Sequence, residues 1–145
     1  MLLDQCGAIA IEFALVAPVL LTILFGIMQF GFYFYAQASV NNAVREAARQ
    51  LAVGSATVGG TASCSTAADG TAEAVACNNL TGLNLEDVTV TACDPDNVDE
   101  ALCSGADDVA VKVSIPRSSI AFVDILGLFD DGDLEAQVIM RKEGS

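Results

Sequence analysis

The residue with the clearest chemistry to do is Glu12. It follows Gly7-Ala8-Ile9-Ala10-Ile11 and precedes Phe13, at the entrance to a long apolar run. A carboxylate carried to the centre of a bilayer costs on the order of 2.5–3.5 kcal/mol, and less near the interface. It is normally paired with a cation. No Lys, Arg or His precedes Arg45, so no nearby side chain of this chain can pair with it. An α-amino group could. A cut after Gly7 would leave Ala8 as a new, positively charged N-terminus one helical turn from Glu12, able to meet that carboxylate or the Glu12 of a neighbouring copy. Left uncut, the carboxylate would sit solvated in the headgroup region.

Other reactive residues define what is excluded. The sequence has no histidine, so neither a Ser-His-Asp nor a Cys-His arrangement can be built. Paired acids are plentiful, but nothing in the pattern gathers them in a pocket, so no enzymatic activity is expected and no cofactor is implied. Cys64, Cys77, Cys93 and Cys103 are widely spaced, with no C-x-x-C pair, which argues against a structural zinc site. In a small exported domain, four such cysteines suggest two disulfides and an oxidising compartment. Three pairings are possible, and locality favours Cys64–Cys77 with Cys93–Cys103. Asp94, Asp96 and Asp99 place oxygen ligands at near-alternate positions in an acidic stretch. The stretch lacks the glycine and the closing Glu of an EF-hand loop, so these are weak metal candidates and read first as a solvated loop. Asn79-Leu80-Thr81 matches a glycosylation sequon, a tripeptide that also arises by chance.

The elements that would position these groups follow from composition and periodicity. The net charge is −13, with only 6 basic residues in 145. No basic stripe exists to displace counterions from phosphates, so nucleic acid is not an expected partner. From Phe13 to Ala36 the chain is apolar except for Thr22 and Gln29. As a helix this run is about 36 Å long, enough to cross a hydrocarbon core of about 30 Å. Phe30, Phe32, Tyr33, Phe34 and Tyr35 form an aromatic cluster near its far end, as at a membrane interface. Pro18 lies inside the run and should kink or loosen it. Val40, Ala43, Val44, Ala47, Ala48 and Leu51 continue at helical spacing, and Gly54 is a plausible stop. One helix from near Ala8 to Val53 is therefore expected, half in lipid and half packed on a domain.

Residues 54–70, rich in Gly, Ser, Thr and Ala, read as a loop. Thr71–Leu80 reads as a short helix with Ala72, Val75, Ala76 and Leu80 inward. Strands are expected over Asp87–Cys93, Val109–Ile115 and Leu134–Arg141. The last two alternate, with Val109, Val111, Val113, Ile115 and Leu134, Ala136, Val138, Met140 on the buried sides. Ser118–Phe129 reads as a short helix or apolar loop, and residues 130–133 as a turn. The fold class is α+β: a long N-terminal helix continuing into a small three-stranded antiparallel sheet, whose apolar face the amphipathic half of the helix covers.

The segment Gly7-Ala8-Ile9-Ala10-Ile11-Glu12-Phe13 resembles the processing site of Flp-type prepilins. Residues 12–18, Phe25-Gly26-Ile27, Phe30-Gly31 and residues 42–49 are similar to TadE-like proteins of tight-adherence (Flp-type, type IV-like) pilus systems. The likeness is specific over residues 7–53 and loose beyond, although Leu134–Glu143 resembles the closing strand of that domain. It implies a minor pilin or pseudopilin in the bacterial cytoplasmic membrane, cut by a prepilin peptidase after Gly7, with an extracytoplasmic C-terminal domain. Its partners would be other pilin subunits, the assembly machinery, the peptidase and the bilayer; adhesion is compatible with this role. The implied organisation is a leader over 1–7, a transmembrane helix over 8–36 and a pilin-like domain over 37–145. A cut after Gly7 also removes Cys6 and leaves an even number of cysteines. Two features pull the other way. Met1–Gly7 carries Asp4 and no base, where such leaders are usually basic, and Arg45 and Arg49 would by the positive-inside rule hold the domain in the cytoplasm. The cysteines and the resemblance favour the outside. The competing organisation is a secreted or anchored binding domain with a signal peptide cut after Ala38, at Ala36-Gln37-Ala38. Its apolar run is longer than the usual h-region.

Overall fold

The computed structural model describes residues 3–80, 82–83, 87–93, 108–120 and 132–143. Its first element, α1, runs from Leu3 to Ala52 without interruption, through Pro18. A proline ring has no N–H, so the Ala14 carbonyl loses its helical donor there; one turn on, the Thr22 hydroxyl donates to the Pro18 carbonyl at 2.8 Å. The helix ends where expected. Gly54 adopts φ +73°, the left-handed conformation that glycine takes without penalty. Around it, the Val53, Gly54 and Ser55 amides donate to the carbonyls of Arg49, Leu51 and Gln50. The Glu143 amide reaches the Ala52 carbonyl at 2.9 Å and ties that residue to the end of the helix.

A short strand β1 (Thr61–Ser63), helix α2 (Ala72–Asn79) and strands β2 (Thr89–Cys93) and β3 (Asp108–Pro116) follow. A single-turn helix α3 (Arg117–Ile120) and strand β4 (Asp133–Arg141) complete the order. Thr71 caps α2, its hydroxyl accepting from the Ala74 amide, which satisfies one of the helix's orphan donors. The strands form one antiparallel sheet in the order β1-β2-β3-β4. The α+β class and the helix-on-sheet arrangement are thus as expected, but the sheet has four strands, not three. The additional strand lies inside residues 54–70, which read as a loop because Thr-Ala-Ser has no apolar alternation. Its three residues pair with Val90 and its neighbours at the sheet edge, where a polar strand costs little.

The register puts Val90, Val113 and Ala136 in one row and Ala92, Val111 and Val138 in the next. These rows face Ala36, Val40, Ala43, Val44, Ala47 and Leu51 of α1 in one core. Each Val or Leu buried there contributes about 1.5–3 kcal/mol, and the small alanines let the helix backbone approach the sheet. The outer face is polar, with Thr61, Thr91, Lys112 and Gln137 in one row. Ala110, expected on that outer side, is nonetheless fully buried, as is its cross-strand neighbour Cys93.

Candidate functional site

Two chemically distinct regions share α1. Over its first half the apolar side chains point outward all the way round: Phe13 is 72% exposed and Leu15 73%, with Leu20, Ile23, Leu24, Ile27 and Phe30 similarly open. A window within Ile9–Ala52 reaches a mean hydropathy of 2.3, and none of it is buried inside the protein. A helix that is hydrophobic around its whole circumference needs an apolar environment on all sides. This one is long and apolar enough to cross a membrane. Gln29, by contrast, is 9% exposed in the middle of this region.

Gly7 lies within α1, exposed, and a Cβ built on it meets nothing within 4 Å. Gly26 and Gly31 are equally open. Glycine inside a helix costs about 0.5–1 kcal/mol relative to alanine, and no close packing within the described residues accounts for that cost. Glu12 is exposed on the same helix, one turn beyond Ala8 at about 1.5 Å per residue. The sequence-derived group of Gly7, Ala8, Glu12 and Phe13 therefore sits on continuous helix where the bare apolar surface begins.

The cysteines lie in the domain at the other end. Cys64 and Cys77 form a disulfide with a Cα–Cα distance of 5.4 Å, joining the segment after β1 to α2. Cys93 is also disulfide-bonded; Cys103 lies outside the described residues, as do Asp94, Asp96 and Asp99. Among the described residues no group of three His, Cys, Asp or Glu side chains could hold a metal ion. Asn79 of the sequon is turned to its own helix, its amide donating to the Val75 carbonyl at 2.8 Å.

Two polar features were not anticipated. Glu73, in the first turn of α2, is wholly buried, and both its oxygens accept from the Gly59 amide, at 3.0 and 3.1 Å. A Cβ at Gly59 would lie 3.0 Å from Glu73 Oε2, so glycine makes room for the carboxylate. The acidic first turn was visible in the sequence and is favoured by the helix dipole, but its long-range partner was not. On the outer side of α1, Glu46 accepts from Arg49 Nη2 at 2.7 Å, from Arg49 Nε at 3.0 Å and from Gln50 at 2.8 Å. The Arg49 hydrogen bonds, then that from Gln50, hold the Glu46 carboxyl at about 2. The same pair raises the pKa of Arg49.

A model of the family described as TadE-like protein matches residues 7–49. No curated protein and no solved structure matches the chain. The match opens on the glycine of the expected processing site and closes within the core-facing half of α1. Over residues 7–49 the chain is therefore similar to TadE-like proteins, which is consistent with a TadE-like protein of the tight-adherence pilus system.

Proposed function

We propose that the protein is a minor pilin or pseudopilin that takes part in assembling a tight-adherence pilus, after a prepilin peptidase cuts between Gly7 and Ala8. Its work is assembly, not catalysis. The observation that carries this reading is the bare apolar surface of α1 from Ile9 onward, with the Glu12 carboxylate at its entrance. Such a helix holds the protein in a bilayer and can pass sideways into a bundle of similar helices. Lipid and helix neighbours are both apolar, so transfer loses little hydrophobic energy, and packing with polar pairing must direct association. The ammonium created at Ala8 and the carboxylate of Glu12 supply that pairing and set register between subunits. Ala10, Ala14, Ala17 and the open Gly26 let neighbours approach closely.

The packing also weighs against a signal-peptide cut after Ala38. Ala36 is fully buried in the core, and α1 continues through Ala38 to Val40 and onward without a break. That cut would sever a helix on which the sheet is built.

The test is Glu12→Ala. The disulfide-linked domain is expected to fold and melt as in the parent, while incorporation of the subunit into pili falls sharply. Unchanged incorporation would contradict the register role.

A further inference from the structure

Gly7, Gly26 and Gly31 lie inside continuous helix with open space where a Cβ would be. Gly7 differs from the other two in one respect: it carries the carbonyl of the bond that the proposed processing cuts. That bond is helical, because α1 runs unbroken from Leu3 to Ala52. In such a helix the Gly7 carbonyl accepts from the amide four residues on, and the Ala8 amide donates to the carbonyl four residues back. Both polar groups of the peptide to be cut are therefore engaged within the chain. A cleft that takes a peptide as an extended strand pairs with its main chain and reads alternate side chains in pockets. A helix offers neither.

Where the helix can open depends on what surrounds it. Gly7 lies about 9 Å along the helix ahead of Phe13, and Gly26 about 20 Å beyond Phe13, at 1.5 Å per residue. With the run from Phe13 set in a hydrocarbon core of about 30 Å, backbone groups freed at Gly26 would find no water. Freed at Gly7 they meet the interface, where water or an enzyme's strand edge can bond them. Gly7 also stands near the start of α1, so opening there unravels an end and leaves the rest of the helix whole. Glycine favours the helix less than any residue except proline, which raises the share of molecules in which this end is open.

We propose that the peptidase acts on an opened, extended form of residues 5–10, and that Gly7 is a positioning residue that populates this form. On opening, the amides from Gly7 to Ala14 release their helical acceptors, and the Gly7 carbonyl is free to face the enzyme. Water then adds across the peptide. The C–N bond breaks, Gly7 leaves as a carboxylate, and the Ala8 nitrogen takes up a proton to become the ammonium. After the cut the residues from Ala8 coil again, with the ammonium one turn from Glu12. A different role for Gly7, filling a pocket too tight for a Cβ, would need glycine at that one position. Opening does not, because a glycine elsewhere in the segment serves as well. The inference rests on the processing reading above and adds the form of substrate that the enzyme takes.

The experiment follows cutting of the full chain in membranes that contain a prepilin peptidase, read by the mass of the products over time. Gly7→Ala should slow the cut about fivefold, the factor by which alanine favours a helix over glycine. Gly7→Ala combined with Ala10→Gly should return close to the parent's rate, because the segment again holds one glycine. Amide hydrogen exchange of the uncut chains in detergent micelles should move in parallel. From Ala8 to Glu12 it should slow about fivefold in Gly7→Ala, by the same factor, and recover in the double variant. Cutting that is lost in Gly7→Ala and not restored by Ala10→Gly would overturn the proposal in favour of a tight pocket, and the processing reading would stand. An unchanged rate or unchanged exchange in Gly7→Ala would also overturn the proposal alone. A parent chain that is not cut between Gly7 and Ala8 would overturn the processing reading and this inference with it.

Discussion

The two halves of α1 are built from similar apolar residues and meet opposite fates. From Ala36 to Leu51 the inward stripe is mostly alanine and valine, and the outer side carries Asn41, Asn42, Arg45, Glu46 and Arg49. That asymmetry lets one sheet bury one side. Leu51 is 2% exposed. From Ile9 to Tyr35 the large residues have no preferred side and nearly all remain open. The difference separates two kinds of stability: the second half is held by its own chain, and the first depends on what surrounds the molecule. A single helix thereby joins a self-sufficient domain to a segment that needs lipid or other helices.

Substitutions can break that contrast or sharpen it. The largest effect is expected in the packed half. Leu51→Ala should cost about 2–5 kcal/mol through lost burial and a residual cavity, read by denaturant unfolding of the detergent-solubilised protein. Leu20→Ala, in the open half, should stay within about 0.5 kcal/mol in the same assay. Equal losses would show that both halves are packed by the chain itself. Reduction of the Cys64–Cys77 bridge should come next. Its sequence separation of 13 corresponds to about 3 kcal/mol of loop-closure entropy, measured as the shift in unfolding free energy of a double Cys→Ser variant. Glu73→Ala should cost about 1–3 kcal/mol by removing a buried acceptor for a backbone amide. Gly59→Ala should destabilise the same contact, because its methyl would crowd Glu73 Oε2.

The smallest effect belongs to Glu46, on the exposed side. Its carboxyl is held at about 2 against an ordinary 4.5, so the folded state favours the ionised form. The contribution is complete above about 4.5, fades as pH falls toward 2, and is lost below that. Glu46→Gln should therefore lose a small stabilisation at neutral pH and flatten the profile between pH 4.5 and 2, so that variant and parent converge at the acid end of a titration followed by circular dichroism. An unaltered acid profile would show the pair with Arg49 to be energetically silent.

Much of this was legible in the sequence because the decisive features are local. The apolar run, the helical spacing from Val40 to Leu51, the stop at Gly54 and the alternation in β3 and β4 each follow from neighbouring residues. The acidic entrance at Glu12 needed only the absence of an earlier base. What escaped depended on distant partners. Thr61–Ser63 is a strand only because β2 offers it an edge. Glu73 can be buried only because Gly59, far away in the chain, brings an amide to it. Ala110 is buried on the polar side of the sheet, beside Cys93, where alternation predicts exposure.

The most direct test of the account is the N-terminal sequence and intact mass of the protein extracted from membranes. A chain beginning at Ala8, with Glu12 as its fifth residue, is the predicted result. A working form that begins at Met1 or at Ser39 would contradict it.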